Sequence, residues 1–421
     1  MATLTDISAV DLRGLVKPGD RVIVGQGAAE ARTLTRALVA QRHHVGRFEV
    51  FLGVVFSDSF PPDGTDGIDF TGYGAFAKSV ALSRAGRLDP LPMPYSRLYD
   101  AFADGRLRPD VVLLQVAPGR DGRRESLSLA HDYTVAAARN ARTVILEVNE
   151  DAPWTHGAEL PEDLRVDLRV RAEMPPLDFG GSTVDETSAK IGAFVADLVP
   201  EGATVQIGIG AIPDAVLASL KGHRDLGIHS GVMNDKILDL IEAGVVTNAQ
   251  KGRDAGVTVA NVLFGTKRLR DFAHDNRALW VAPPPVTHDA GVLASLNRLV
   301  AINSAIEVDL TGQVNSEIAG GKYVGAIGGQ PDFVRGGLAS AGGRSVIALP
   351  ATAKGGTISR IVSQVANVST PRCDADAIVT EYGIAELDGC TLRERARRMI
   401  EIAAPEFRED LARAAHAAFG G

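Results

Sequence analysis

The run TVQIGIG, Thr204 to Gly210, passes directly into AIPDAVLASL, so Gly208, Ile209, Gly210, Ala211 and Ile212 lie between an apolar strand-like segment and a helix-like one. Glycines at such a junction let backbone N–H groups approach a ligand closely, and the helix start adds the positive end of the peptide dipole. An anionic or carbonyl oxygen is the group this loop can serve. Pro213 stands in the first helical turn, where a proline is tolerated. The bare pattern is equally that of a tight packing turn. It has neither the third glycine of a dinucleotide loop nor the Lys-Ser/Thr pair of a nucleoside triphosphate loop, which argues against both ligands.

Other residues offer less. Lys354 in TAKGG and Arg360 in SRIV are cations for a phosphate or an acid, or members of exposed salt bridges. Tyr382 in TEYG can position a ligand through its hydroxyl, although a buried, hydrogen-bonded core tyrosine is the default expectation. Arg393, Arg395, Arg397 and Arg398 read as a solvated helix face. The nine histidines show neither HxxxH nor HxH spacing, so no metal is expected. Cys373 and Cys390 are too few for a disulfide framework or a four-ligand zinc site, and suit a reducing compartment.

The elements that must position the glycine loop follow from continuous apolar runs. RVIV, FEVFL, VVLLQV and TVILEV in the first half, and TVQIGIG, LGIH, VTVANVLFG, SVIALP and AIVT in the second, read as strands buried on both faces, as in parallel sheets. Ala28 to Gln41 and Asp132 to Arg142 read as crossover helices, giving βαβ units. The stretch MPPLDFGGST breaks the pattern, and DETSAKIGAFVADLV then resumes with a helical one. Two tandem open α/β domains are expected, 1–182 and 183–421, with a C-terminal helical pair over Thr391 to Phe419. A length of 421 residues is itself too great for one core, and 45 glycines with only 5% aromatics suit many βα turns around aliphatic cores. The net charge of −8 provides no general basic footprint for nucleic acid. The N-terminus lacks a signal-peptide pattern and no window approaches about 18 uninterrupted apolar residues, so a cytoplasmic protein with no membrane partner is expected.

Longer motifs carry a resemblance. VAPGRDGRRESLSLAHDYTVAAARNARTVILEVNEDAPWTHG in the first half, and VQIGIGAIPDAVL, LGIHSGVMNDKILDLIEAGVVTN, INSAIEVDLTGQVNSEIAGGKYVGAIGGQPDFVRG, IALPATAKGGTISRIV and VTEYGIAELDGCTLRERARRMIEIAAPEFRE in the second, resemble the acetyl-CoA hydrolase/transferase family, in particular 4-hydroxybutyrate CoA-transferases and their relatives. The resemblance spans nearly the whole chain. It implies a two-domain fold of the CoA-transferase type, an acyl-CoA and a small free carboxylate as substrates, no bound cofactor, and a homodimer. It implies that Gly208, Ile209, Gly210, Ala211, Ile212, Ile306 and Gly329 line the CoA site, and makes Gly328 and Gly329 in AIGGQPDF the oxyanion-hole candidates, where backbone donors meet a thioester oxygen as it becomes charged. The alternative is that GGQPDF is only a turn.

The resemblance fails at one residue. The family's nucleophile is a glutamate in a stretch like GIHTEM, whose carboxylate attacks the acyl-CoA and then carries CoA as a glutamyl thioester. This chain reads Gly227, Ile228, His229, Ser230, Gly231, Val232, Met233, with glycine at the nucleophile's place. Glu30 in GQGAAEARTL is the candidate replacement, against a default reading as a first-turn helix carboxylate. Asp58, after FLGVVFS, has a shorter reach and reads as a solvated loop acid. Ser230 needs a base, and His229 as its chain neighbour on a strand points to the other face. Asp235 caps or starts the following helix. The remaining option is no protein nucleophile at all: an acceptor carboxylate, or water, attacks the thioester directly, with Ser230 and Gly231 lining its pocket.

Overall fold

The computed structural model describes residues 4–119 and 122–420. The chain forms two compact units, one of residues 1–180, 259–287 and 322–328, the other of residues 181–258, 288–321 and 329–421.

In the first unit, Leu4–Thr5, Leu168–Arg171, Thr143–Val148, Val111–Val116, Arg21–Val24, Phe48–Leu52, Ile68–Gly72 and Leu88–Pro90 lie side by side in that order, all parallel. Every residue of VVLLQV and TVILEV is buried, as expected of strands covered on both faces. One crossover helix is shifted along its sequence pattern and the other is shorter than its pattern. The first is Arg32–Val45 rather than Ala28 to Gln41, because Gly27–Ala29 form a 3-10 turn in which Gly27 takes φ +58° against the ring of Phe264. The second is Thr134–Asn140 rather than Asp132 to Arg142, since Asp132 turns its Oδ1 onto the Thr134 N–H and hydroxyl.

In the second unit, Gly227–Met233, Thr204–Ile207, Leu299–Ser304, Arg344–Ala348 and Ala377–Thr380 are parallel neighbours in that order, and Gly383–Glu386 closes the edge as an antiparallel hairpin partner. The helix Glu186–Asp197 is capped by Asp185, whose carboxylate accepts from the Ser188 N–H at 2.7 Å. The C-terminal pair, Leu392–Glu401 and Arg408–Phe419, packs around Met399, Ile402 and Leu411. Helix Gln330–Ala339 lies tightly on its surroundings, for a β-carbon on Gly337 would stand 2.4 Å from the carbonyl oxygen of Arg344. Among the described residues no helix is long and apolar enough to cross a membrane.

Candidate active site

Strand Thr204–Ile207 has Gly227–Met233 on one side and Leu299–Ser304 on the other, so the chain leaves it in one direction and later returns to its opposite flank. Open α/β sheets bind ligands at such a switch point, beyond the carboxyl ends of the strands. The Gly208–Ile212 loop and Ile306 both follow strands at this point. Just below, Gln206 and Asn303 exchange amide hydrogen bonds at 3.5 and 3.2 Å, pinning the two strands together.

The loop glycines are not packing devices. A β-carbon on Gly208 would meet nothing within 4 Å, and one on Gly210 only Pro213 at 4.0 Å. Gly210 is demanded by its backbone instead, at φ +125°, where it caps helix Ala211–Ser219. Gly208, Ile209, Gly210 and Ala211 are half-exposed and Ile212 is buried. The helix is anchored through buried Asp214, which accepts from the Ser182 N–H at 2.7 Å and from Asn234 Nδ2 at 3.0 Å. Asn234 Oδ1 in turn caps the next helix through the Lys236 and Ile237 N–H groups, so Asn234 is the cap and Asp235 the first helical residue.

Ser230 is buried and its hydroxyl donates to the Ile207 carbonyl at 3.0 Å, a bond that holds neighbouring strands together. Gly231 is half-buried, on the same face of the strand as His229. A β-carbon on Gly231 would stand 3.2 Å from His288 Nε2 and 3.3 Å from Phe333 Cε2. Gly329, at the start of helix Gln330–Ala339, meets the same nitrogen, its β-carbon position 2.7 Å from His288 Nε2. Phe333 packs on the His288 ring with centroids 4.6 Å apart. Burial, reinforced by the nearby His229, pushes the His288 imidazole down to about 3, so the ring is neutral at any physiological pH. Ile306 stands half-buried after strand Leu299–Ser304, its N–H on the Asn315 carbonyl at 2.8 Å. Gly328, in the first unit, takes φ +55° and its carbonyl accepts from the Tyr95 N–H at 2.9 Å.

The first unit holds the other acids. Glu30 is buried, just before helix Arg32–Val45 rather than in its first turn, and its Oε1 accepts from the Thr35 hydroxyl at 2.7 Å. Beside it Glu147 is raised to about 7, by burial first, with the charge of Glu30 adding to the effect. Asp58 is exposed and paired with Lys78.

Several bland expectations need correction. Tyr382 is 43% exposed, beneath the guanidinium of Arg408, and not a core tyrosine. Arg395 is buried and donates to the carbonyls of Thr311, Arg372 and Cys390, unlike the exposed Arg393 and Arg397 and the half-buried Arg398. Lys354 is exposed, whereas Arg360 is partly buried and its guanidinium is pushed below its usual range by that burial. His288 is the residue that sequence reasoning missed. VTHDAG has no motif spacing, and only the fold brings this histidine to Gly231.

The fold agrees with known proteins. Residues 265–415 match the model of the acetyl-CoA hydrolase/transferase C-terminal domain. The chain is 41% identical to 4-hydroxybutyrate coenzyme A transferase of Clostridium kluyveri, over 78% of this chain and 77% of the relative. It is 34% identical to succinyl-CoA:cyclohexane-1-carboxylate CoA transferase of Geobacter metallireducens, over 97% and 94% of the two chains. The crystal structure of RipA from Yersinia pestis superposes with a TM-score of 0.92 at 33% identity, covering 99% of this chain and 97% of that one. With sequence likeness over most of the length and the same architecture throughout, the chain belongs to the acetyl-CoA hydrolase/transferase family.

Proposed function

We propose that this protein transfers coenzyme A between an acyl-CoA and a small free carboxylic acid, and does so without a protein nucleophile. Family membership supports the reaction, and Gly231 is the observation that carries the mechanism: a residue without a side chain stands where the family's attacking glutamate belongs. In this reading the Gly208–Ile212 loop and Ile306 hold the CoA thioester, Gly328 and Gly329 donate N–H groups to its carbonyl oxygen, and the acceptor acid enters over Ser230 and Gly231. The acceptor carboxylate attacks the thioester carbon, the C–S bond breaks, and CoA thiolate leaves behind a mixed anhydride. The thiolate then attacks the acceptor's carbonyl of that anhydride, giving the new acyl-CoA and the donor's free carboxylate. Holding both partners in attack geometry can contribute up to roughly 7–11 kcal/mol of barrier. Glu30 takes no chemical step here, since its carboxylate is engaged by Thr35 inside its own unit.

The same reading carries a cytoplasmic homodimer that needs neither metal nor resident cofactor; light scattering in dilute buffer tests the dimer. The mechanism is tested by initial rates with several acyl-CoAs against acetate and dicarboxylates. Intersecting lines and no trapped adduct after hydroxylamine or borohydride treatment are expected. Parallel lines with an adduct on any carboxylate of the chain would overturn direct transfer.

A further inference from the structure

Two arginines of the first unit stand where helix electrostatics disfavours them. Arg32 is the first residue of helix Arg32–Val45, whose first turn holds no acid, so its charge lies at the positive end of the peptide dipole. Arg36 follows one turn later, and like charges at that spacing repel. Both guanidiniums converge on the Met174 sulfur, at 3.5 Å from Arg32 Nη2 and 3.0 Å from Arg36 Nη1. A thioether is only a weak acceptor. Arg32 Nη1 donates to the Pro175 carbonyl at 3.2 Å while its Nε is buried without an acceptor, and neither arginine has a carboxylate partner among the described residues. The acids nearby are engaged elsewhere. Asp58 pairs with Lys78, and its carboxyl is held below the usual range by Lys78 first, with Arg36 and Arg32 adding to the effect. Glu30 accepts from the Thr35 hydroxyl and Glu147 from the Leu34 N–H, and the exposed Glu173 is tied through its N–H to the Thr33 hydroxyl.

Strand Arg21–Val24 lies between Phe48–Leu52 and Val111–Val116, the switch point of this sheet. Arg32, Asp58 and Lys78 follow the carboxyl ends of Arg21–Val24, Phe48–Leu52 and Ile68–Gly72, three neighbouring strands, and open α/β sheets bind ligands on that edge. We propose that Arg32 and Arg36 form an anion site, contained in the first unit, that takes a free carboxylate or phosphate group. Arg36 is exposed and its Nε and Nη2 have no partner in the protein, so this edge of the guanidinium offers the parallel pair of N–H donors that such a group accepts bidentately. Arg32 supplies the second charge. A bound anion screens the two cations from each other and places negative charge at the helix start, which removes both unfavourable terms. Arg32, Arg36 and Lys78 against Asp58 make a local positive excess on a chain whose net charge is −8, so binding should weaken with added salt. The site does not depend on the transferase reading, although both substrates of that reading carry suitable groups: a dicarboxylic acid has its second carboxylate and CoA its phosphates.

The test titrates wild type, Arg36→Gln and the double variant Arg32→Gln/Arg36→Gln with succinate and with inorganic phosphate, by calorimetry at low salt. Wild type is expected to bind at least one of the two anions, Arg36→Gln to bind it about tenfold more weakly and the double variant about a hundredfold. Because Arg36 is exposed, the single variant keeps the test in hand if the double one does not fold. Initial rates and CoA titrations then identify the source of the group. A KM for succinate that rises at least tenfold in Arg36→Gln, with that for acetate unchanged, assigns the site to a dicarboxylic acceptor; a tenfold loss of CoA affinity assigns it to the CoA phosphates; loss of anion binding with neither change assigns it to an anion outside the reaction. Binding equal in wild type and the folded variants, or no binding of either anion, overturns the site. Loss of anion binding in the variants of a protein that transfers no CoA keeps the site and sinks the transferase reading, and unaltered anion binding with transfer intact does the reverse.

Discussion

Glu147 lets burial be weighed against charge. Its Oε2 accepts from the Leu34 N–H at 3.0 Å, and it is fully buried near the end of strand Thr143–Val148. Burial is the main reason that its pKa rises from 4.5 to about 7, with Glu30 adding to it and the Leu34 and Thr33 donors opposing. Because the folded value exceeds the unfolded one, the native state holds the proton more tightly. The associated stability is complete below about pH 4.5 and is lost as pH rises through about 7. A shift of about 2.5 units at 1.36 kcal/mol each is roughly 3 kcal/mol, most of it lost between about pH 5 and 8. Glu147→Gln removes the titration and keeps an oxygen for the Leu34 N–H. Whatever its offset at pH 5, the variant should gain about 2 kcal/mol on wild type by pH 8. Both tryptophans, Trp154 and Trp280, lie in the same unit as Glu147, so urea melts followed by tryptophan fluorescence report on the right part of the molecule. A gap that does not open with pH would refute the argument that desolvation governs this acid.

Glu30→Gln should retain acceptor-dependent CoA transfer within a few-fold, because glutamine also accepts from Thr35; loss beyond a hundredfold with an adduct mapped to position 30 would restore Glu30 as nucleophile. Gly231→Glu should fold, at an overpacking cost of about 1–3 kcal/mol read as a lower Tm, since its β-carbon would press His288 and Phe333 at 3.2 and 3.3 Å. Its transfer rate should drop at least tenfold as the acceptor loses its space, and an unchanged rate would show that the space is not used. Arg395→Ala should cost about 2–4 kcal/mol in urea melts by leaving the buried carbonyl of Thr311 and the part-buried one of Arg372 without their donor, while Arg397→Ala, which breaks only an exposed pair with Glu401, should stay within about 0.5 kcal/mol.

The parallel-sheet architecture was legible because strands covered on both faces must be apolar throughout, and VVLLQV and TVILEV are buried at every residue. The place of the glycine loop was legible for a related reason: an apolar run that ends in glycines and passes into a helical pattern marks a βα junction, here between Thr204–Ile207 and Ala211–Ser219. Helix starts were less so, since Gly27 against Phe264 and the turn made by Asp132 are decided by contacts that periodicity does not encode. The same holds for Arg395, whose neighbours on the helix are solvated while its own guanidinium reaches the carbonyls of distant loops. The two excursions at 259–287 and 322–328, which pack with the first unit, leave no mark in composition at all. His288 lies at the edge of one of them, where the chain enters the second unit, and its close approach to Gly231 and Gly329 depends on both being without side chains.

That dependence bears on how a site outlives its nucleophile. Oxyanion donors contribute about 3–4 kcal/mol each, and orientation more, and neither resides in the side chain at 231. On the proposed reading, a chain without a carboxylate there lacks one route through the reaction and keeps charge stabilisation for any attacking oxygen that fits. What then selects among oxygens is local. In the proposed direct transfer an acceptor carboxylate needs room and a second binding contact. On that reading the rate of transfer should rise with acceptor concentration and saturate, as steady-state rates at fixed acyl-CoA would show.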